Sequence, residues 1–211
     1  MSILPDAGGN LIIQGEFRFC STFANKDVSD SYNLRIEVPS DFPQDLPDVY
    51  EVSGRIPEGF HRMDDSSLCL GSPLGLRLQC GARPSLTTFV HKCVVPYLHA
   101  WRIKESGCEL PFGELDHGFQ GIIDDYKNIF RVDSEAAAIE LFFLASRPRS
   151  KANRVPCPCK SGLRVGRCHH KILNRLRKDV GRLWFKREYA WLNESFEREQ
   201  RNRKLMASYL N

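Results

Sequence analysis

The chain has 211 residues, of which 27% are charged, with eight cysteines and a formal net charge of +4. That length gives room for one ordinary core plus a smaller module. The first ten residues lack the basic start and apolar stretch of a secretory signal, and no run approaches the roughly 18 apolar residues of a membrane span. A soluble, cytoplasmic protein without a membrane partner is therefore expected. Its cysteines should stay mostly reduced, with clustered ones binding metal instead of pairing.

The modest net charge conceals a sharp asymmetry. Residues 1–146 hold 12 Lys+Arg against 21 Asp+Glu, and residues 147–211 hold 18 against 5. The break falls at Arg147-Pro148-Arg149-Ser150-Lys151 and predicts a domain boundary there, with residues 1–148 in one domain and 149–211 in a basic second one.

From the amino terminus, Leu11 to Phe23 alternates apolar and polar residues, as a half-buried strand does. Tyr32 to Val38 alternates more cleanly, and Asp48 to Val52 is a third, shorter candidate. Short polar connections suit an antiparallel meander with one wet face. Between the second and third strands, Pro39, Pro43 and Pro47 stiffen the chain and remove ladder donors.

Gly59 to Leu70 reads Gly-Phe-His-Arg-Met-Asp-Asp-Ser-Ser-Leu-Cys-Leu. A histidine eight residues before a cysteine on a polar loop suits a nucleophilic thiol with a nearby donor or base. Leu68-Cys69-Leu70 suits a buried core segment equally. A Gly- and Leu-rich stretch follows to Arg83. Pro84-Ser85 then opens a helix with Leu86, Phe89, Val90, Cys93 and Val94 on one stripe, ended or kinked by Pro96. Cys93 belongs to the core on this spacing, and Cys20, Cys80 and Cys108 carry no assigned chemistry. Pro111 to Gly118 is loop-like and contains His117. Phe119, Ile122, Ile123, Tyr126 and Phe130 mark another helix, and Ser134 can cap a third over Glu135 to Ala145.

Meander, Pro-rich bend (Phe42-Pro43…Pro47), His61…Ser67-Leu68-Cys69-Leu70, then Pro84-Ser85-Leu86-Thr87 running to Pro96-Tyr97-Leu98: this order resembles the ubiquitin-conjugating-enzyme fold over roughly residues 11–101. It is most similar to prokaryotic members that accompany bacterial antiphage defence and act on a cGAS-like nucleotidyltransferase. The resemblance implies an α+β domain and a transferase in which Cys69 carries a thioester to a partner protein's carboxyl terminus. The family's His-Pro-Asn is reduced here to His61 followed by Arg62 and Met63, so its oxyanion-supporting Asn is missing. One such donor is worth on the order of 3 kcal/mol of transition-state stabilisation; His61 and His117 are the candidates to replace it. The family's amino-terminal helix is absent too. No phosphate-binding Gly-rich motif occurs, so another protein must supply the activated acyl group. A thiol hydrolase on the same loop and a non-catalytic adaptor are the rival readings.

The most specific motif lies further on, in Pro156-Cys157-Pro158-Cys159-Lys160-Ser161-Gly162-Leu163-Arg164-Val165-Gly166-Arg167-Cys168-His169. Three thiolates and an imidazole match tetrahedral zinc, with Cys157, Cys159, Cys168 and His169 as ligands and His170 as a possible substitute. The stretch is similar to the SEC-C zinc-binding motif. Four protein ligands leave no open position, so the zinc is read as structural. Beyond it, Ile172, Leu173, Leu176 and Val180 mark one helix, and Phe185, Tyr189, Leu192 and Phe196 a longer one with supportive Glu–Arg spacings. The basic excess, interleaved with Trp184, Phe185, Tyr189 and Trp191, predicts an acidic protein or nucleic acid as partner.

Overall fold

The computed structural model describes residues 1–23, 26–108 and 118–209. The chain is α+β and forms two compact units: Met1–Gly71 with Arg83–Leu115, and Ser72–Ala82 with Asp116–Asn211. Among the described residues, no helix is long and apolar enough to cross a membrane.

The first unit is built on a four-stranded antiparallel meander in the order β1-β2-β3-β4, comprising β1 (Ser2–Pro5), β2 (Leu11–Phe23), β3 (Lys26–Val38) and β4 (Asp48–Glu51). β2 and β3 pair along their whole length, with Ile13 opposite Ile36 and Phe17 opposite Tyr32. Period-two alternation puts Tyr32, Leu34, Ile36 and Val38 on one buried face, joined by Phe19 of β2 and Val49 of β4. β1 carries no strand signal in the sequence. All four of its residues are exposed, so it lacks the alternation that reveals a half-buried strand.

The helix expected after Pro84 is present, but in three pieces. Ser85 caps α2 (Leu86–Phe89) by accepting the Thr88 N–H; a π-helical turn spans Val90–Val94, and α3 (Val95–Glu105) follows. Pro96 neither ends nor breaks the path. It lies in the first turn of α3, where a missing N–H costs least, and the ladder widens into the π turn just before it. Phe89, Cys93, Val94, Tyr97 and Leu98 are buried along this path, so Cys93 is a core residue.

The second unit is helical: α1 (Pro73–Cys80), α4 (Gly118–Phe130), α5 (Glu135–Ser146), the single turn α6 (Arg149–Ala152), α7 (His170–Asp179) and α8 (Arg182–Tyr209). Ser134 caps α5 as expected, accepting the Ala137 N–H. α5 buries Ala137, Ala138, Ile139, Leu141, Phe142, Leu144 and Ala145, almost its whole circumference, which marks a central helix. Phe142 stacks on Tyr126 of α4 at 5.3 Å and meets Phe185 of α8 edge-on at 4.8 Å. Leu173 and Leu176 of α7 join the same core. The charge change at residue 147 thus falls inside this unit, because compactness follows apolar burial and not charge.

In the sequence, α1 shows only as a Gly- and Leu-rich stretch. Ser72 caps it through the Gly75 N–H and also donates to Asp125 of α4. A Cβ on Gly75 would lie 2.8 Å from that carboxylate, so the glycine that weakens the helical pattern is what lets α1 seat against α4.

Candidate functional site

The metal-ligand motif folds as a hairpin laid on the core of the second unit. Pro156 and Arg164 pair as an isolated bridge, and the Cys157 N–H donates to Leu163 O at 2.7 Å. Lys160 and Gly162 hold positive φ of 61° and 75° in the turn between the cysteine pair and Arg164. Gly166 meets a different demand. Its N–H donates to Asn153 O, and a Cβ there would sit 2.9 Å from that oxygen. Close backbone approach, not a left-handed turn, is what demands glycine. The apolar side chains of Val165 and Cys157 sink into the cluster that holds Ala152, Leu173 and Leu176.

This packing brings Cys157, Cys159, Cys168 and His169 together, with their ligand atoms all within 4.8 Å of one another. His169 Nδ1 lies 3.1 Å from both the Cys157 and Cys168 sulfurs; Cys159 Sγ is 3.3 Å from Cys157 Sγ and 3.5 Å from Cys168 Sγ. A tetrahedron with zinc–sulfur bonds near 2.3 Å and a zinc–nitrogen bond near 2.0 Å has edges of about 3.5–3.8 Å. Opening these four short separations by a few tenths of an ångström, while drawing in ligand atoms that lie up to 4.8 Å apart, would accommodate the ion, and three thiols and an imidazole form a donor set that zinc selects. The sulfur separations exceed the roughly 2.05 Å of a disulfide bond, and all eight cysteines are free. Of the adjacent histidines, His169 faces the cluster. His170 opens α7, with its Nδ1 buried and lacking a hydrogen-bond partner.

The thiols differ in acidity. Burial pushes Cys157 up to about 12. At Cys159 burial acts the same way, but hydrogen bonding with Ser161 and Cys157 outweighs it and brings the thiol down to about 7. Ser161 also donates to Cys168 Sγ at 3.4 Å. Zinc binding would displace the remaining thiol protons, and when bound the ion supplies a cross-link between the hairpin and the start of α7.

The Cys69 loop belongs to the first unit and is firmly held. Leu68 N–H donates to Val49 O and Cys69 N–H to His61 O, both at 2.7 Å, and Arg62 bridges to Leu68. From α3, Tyr97 Oη donates to Phe60 O at 2.9 Å, while Phe60 packs against Trp101 at 4.9 Å. His61 has a positive φ of 41°, and its carbonyl accepts from the Cys69 N–H and lies 3.2 Å from Tyr97 Oη. Cys69 itself is partly buried. That burial pushes its thiol up, with the Gly71 N–H pulling weakly the other way. His117 lies outside the described residues.

Comparison with protein-family models, with curated proteins and with solved structures found no match to this chain.

Two groups of interest carried no motif in the sequence. His99 of α3, buried, is 2.8 Å from Ser21 Oγ of β2 through Nδ1. Arg55 bridges Asp30 and Glu105, with both N–O distances 2.7 Å, while its guanidinium lies 4.4 Å from the centre of the Tyr32 ring. Each joins residues 25 to 78 positions apart, a separation that local spacing cannot reveal.

Proposed function

We propose that this protein is a non-catalytic, zinc-containing adaptor, in which the metal ties the 157–169 hairpin to a helical unit that presents basic side chains to a partner. The observation that carries this reading is the closed Cys157, Cys159, Cys168 and His169 cluster. Four protein donors satisfy zinc completely, so the site suits a structural ion and leaves no position for substrate. A purified chain should hold about one zinc, measured by elemental mass spectrometry. Chelation should unfold the second unit, read by protease cleavage within residues 150–211. A metal-free chain with the same protease resistance overturns the proposal.

The thioester-carrier reading has one observation in its favour: Cys69 follows a four-stranded antiparallel meander and is partly exposed on a braced loop. The direction of its acidity weighs the other way, since burial holds the thiol protonated and a carrier cysteine works as thiolate. Under this reading the acyl donor is a partner protein's carboxyl terminus, that of a cGAS-like nucleotidyltransferase in antiphage defence. Intact mass of the protein isolated with its partner, with and without reductant, decides it: a reducible adduct on Cys69 would establish the carrier.

A further inference from the structure

The positive charge of the carboxyl-terminal third is not spread along it. Residues 147–187 hold 14 Lys+Arg and a single acid, Asp179, while residues 188–211 hold four of each sign. The whole excess therefore sits on the metal hairpin and the elements beside it. Thirteen of those 14 cations are exposed, Arg177 being the exception. Among the described residues, only Arg175 and Arg187 pair with a carboxylate.

Local geometry concentrates this charge further. On α7, Lys171, Arg175 and Lys178 follow at i, i+4 and i+7, all exposed, on the side away from the buried Leu173 and Leu176. They form a stripe about 10 Å long at 1.5 Å per residue. Arg149 of α6 and Arg182 of α8 act electrostatically on Arg177, whose guanidinium is held against the carbonyl end of α5. Cations from three helices thus repel one another, and the region's single acid, Asp179, pairs with Arg175. Such repulsion raises the free energy of the unbound protein and is relieved by an anionic partner.

The surface also discriminates between kinds of anion. A protein partner needs a charge-depleted centre with apolar anchors, and lysine is depleted there. Between residues 147 and 187 only Leu163 and Leu183 are large hydrophobics exposed to solvent. Interfaces with nucleic acid, by contrast, are polar and strongly positive.

Resting on the zinc-adaptor reading, we infer that the basic face carried by the 157–168 hairpin, α6, α7 and the start of α8 binds the phosphodiester backbone of a nucleic acid, without dependence on base sequence.

The test uses the full chain, loaded with zinc, and a 20-base-pair DNA duplex, with duplex RNA and single-stranded RNA as parallel arms that identify the preferred backbone. Binding should weaken steeply with salt, the log–log slope being about 0.9 per neutralised phosphate on duplex DNA. Lys171→Gln/Arg175→Gln/Lys178→Gln should lower that slope by about 2–3 and weaken binding on the order of 10²-fold at 0.1 M salt. Arg149→Gln/Arg182→Gln should lower it independently, whereas Arg198→Gln/Arg201→Gln on the charge-balanced part of α8 should not. Zinc content and melting temperature are recorded for every variant, so that loss of binding is separated from loss of fold. A zinc-loaded, folded chain that binds none of the three nucleic acids at 50 mM salt overturns the inference and leaves the zinc reading standing. Displacement of the duplex by polyglutamate at equal charge concentration overturns it in favour of an acidic protein. A chain that binds the duplex without holding zinc overturns the zinc reading instead.

Discussion

The guanidinium of Arg177 donates to the carbonyl oxygen of Leu144 at 2.6 Å, across 33 residues of chain. Its Nε reaches Ala145 O at 3.1 Å, so one side chain of α7 bonds two carbonyls at the end of α5, of which Leu144 O also accepts the Arg147 N–H. Hydrogen bonds from a charged donor are worth about 1.5–3 kcal/mol each. Arg177→Met should therefore lower the stability of the second unit by about 2 kcal/mol or more, measured as a shift in urea midpoint. Arg177→Lys should recover only part of it, because an ammonium cannot reproduce the planar fork.

Replacing a zinc ligand should have a larger and different effect. Cys157→Ser and Cys168→Ser should each release about one zinc per chain, whereas His170→Gln and Cys80→Ala should retain it, since neither side chain belongs to the cluster. Elemental analysis of the four purified variants checks this. Zinc retained in full by both serine variants would rule out the ligand set.

Gly166→Ala tests the hairpin independently of the metal. The new Cβ would meet Asn153 O at 2.9 Å, and both partners are backbone, so neither can swing aside. A cost of about 1–3 kcal/mol is expected, as for other overpacked sites. Gly59→Ala, with open space around its Cβ and no positive φ, is the matched control and should shift the melting temperature little.

In the first unit, Arg55 holds both Asp30 and Glu105 below their ordinary values of 3.8 and 4.5, chiefly by hydrogen bonding. A carboxylate more acidic when folded than unfolded adds stability above its unfolded value and loses it as pH falls through its folded one. The contribution should be intact above about pH 5 and withdrawn progressively below about pH 4. Asp30→Asn should make the parent's stability loss over this range shallower, as read by melting temperature at stepped pH. A variant with the parent's profile would show that the pair does not couple to folding.

Cys69 should alkylate more slowly at neutral pH than the exposed Cys20 and Cys108, since burial disfavours its thiolate. Peptide mapping after timed iodoacetamide treatment measures this. A Cys69 that reacts first would mark an activated thiol and favour the thioester reading.

The parts of this architecture visible in the sequence are those set by local periodicity or by ligand spacing. Alternation located β2 and β3, Ser134 announced α5, and the Cys-x-Cys…Cys-His spacing identified four side chains that the fold does bring together. What escaped depends on distant partners. β1 exists only because β2 accepts it as an edge, and α1 forms around a glycine whose fitness is judged by Asp125, some 50 residues away. The expected boundary near 148 followed charge, yet charge reports which side chains face water and says little about which helices share a core. α5 carries no charged residue between Glu140 and Ser146, so its partnership with α7 and α8 left no mark that charge counting could detect.

The division of the chain into Met1–Gly71, Ser72–Ala82, Arg83–Leu115 and Asp116–Asn211 has a genetic consequence. The polypeptide visits the helical unit, returns to the sheet unit, and then goes back, so no single cut in the gene separates the two units. A fragment ending at 148 would carry α5 without α7 and α8, stripping Phe142 of Trp184 and Phe185. A fragment beginning at 149 would keep the metal ligands but lose α5, the central helix of the core that Cys157 joins. The two units are stitched into one inheritable piece, and swapping either into another protein would require three junctions instead of one.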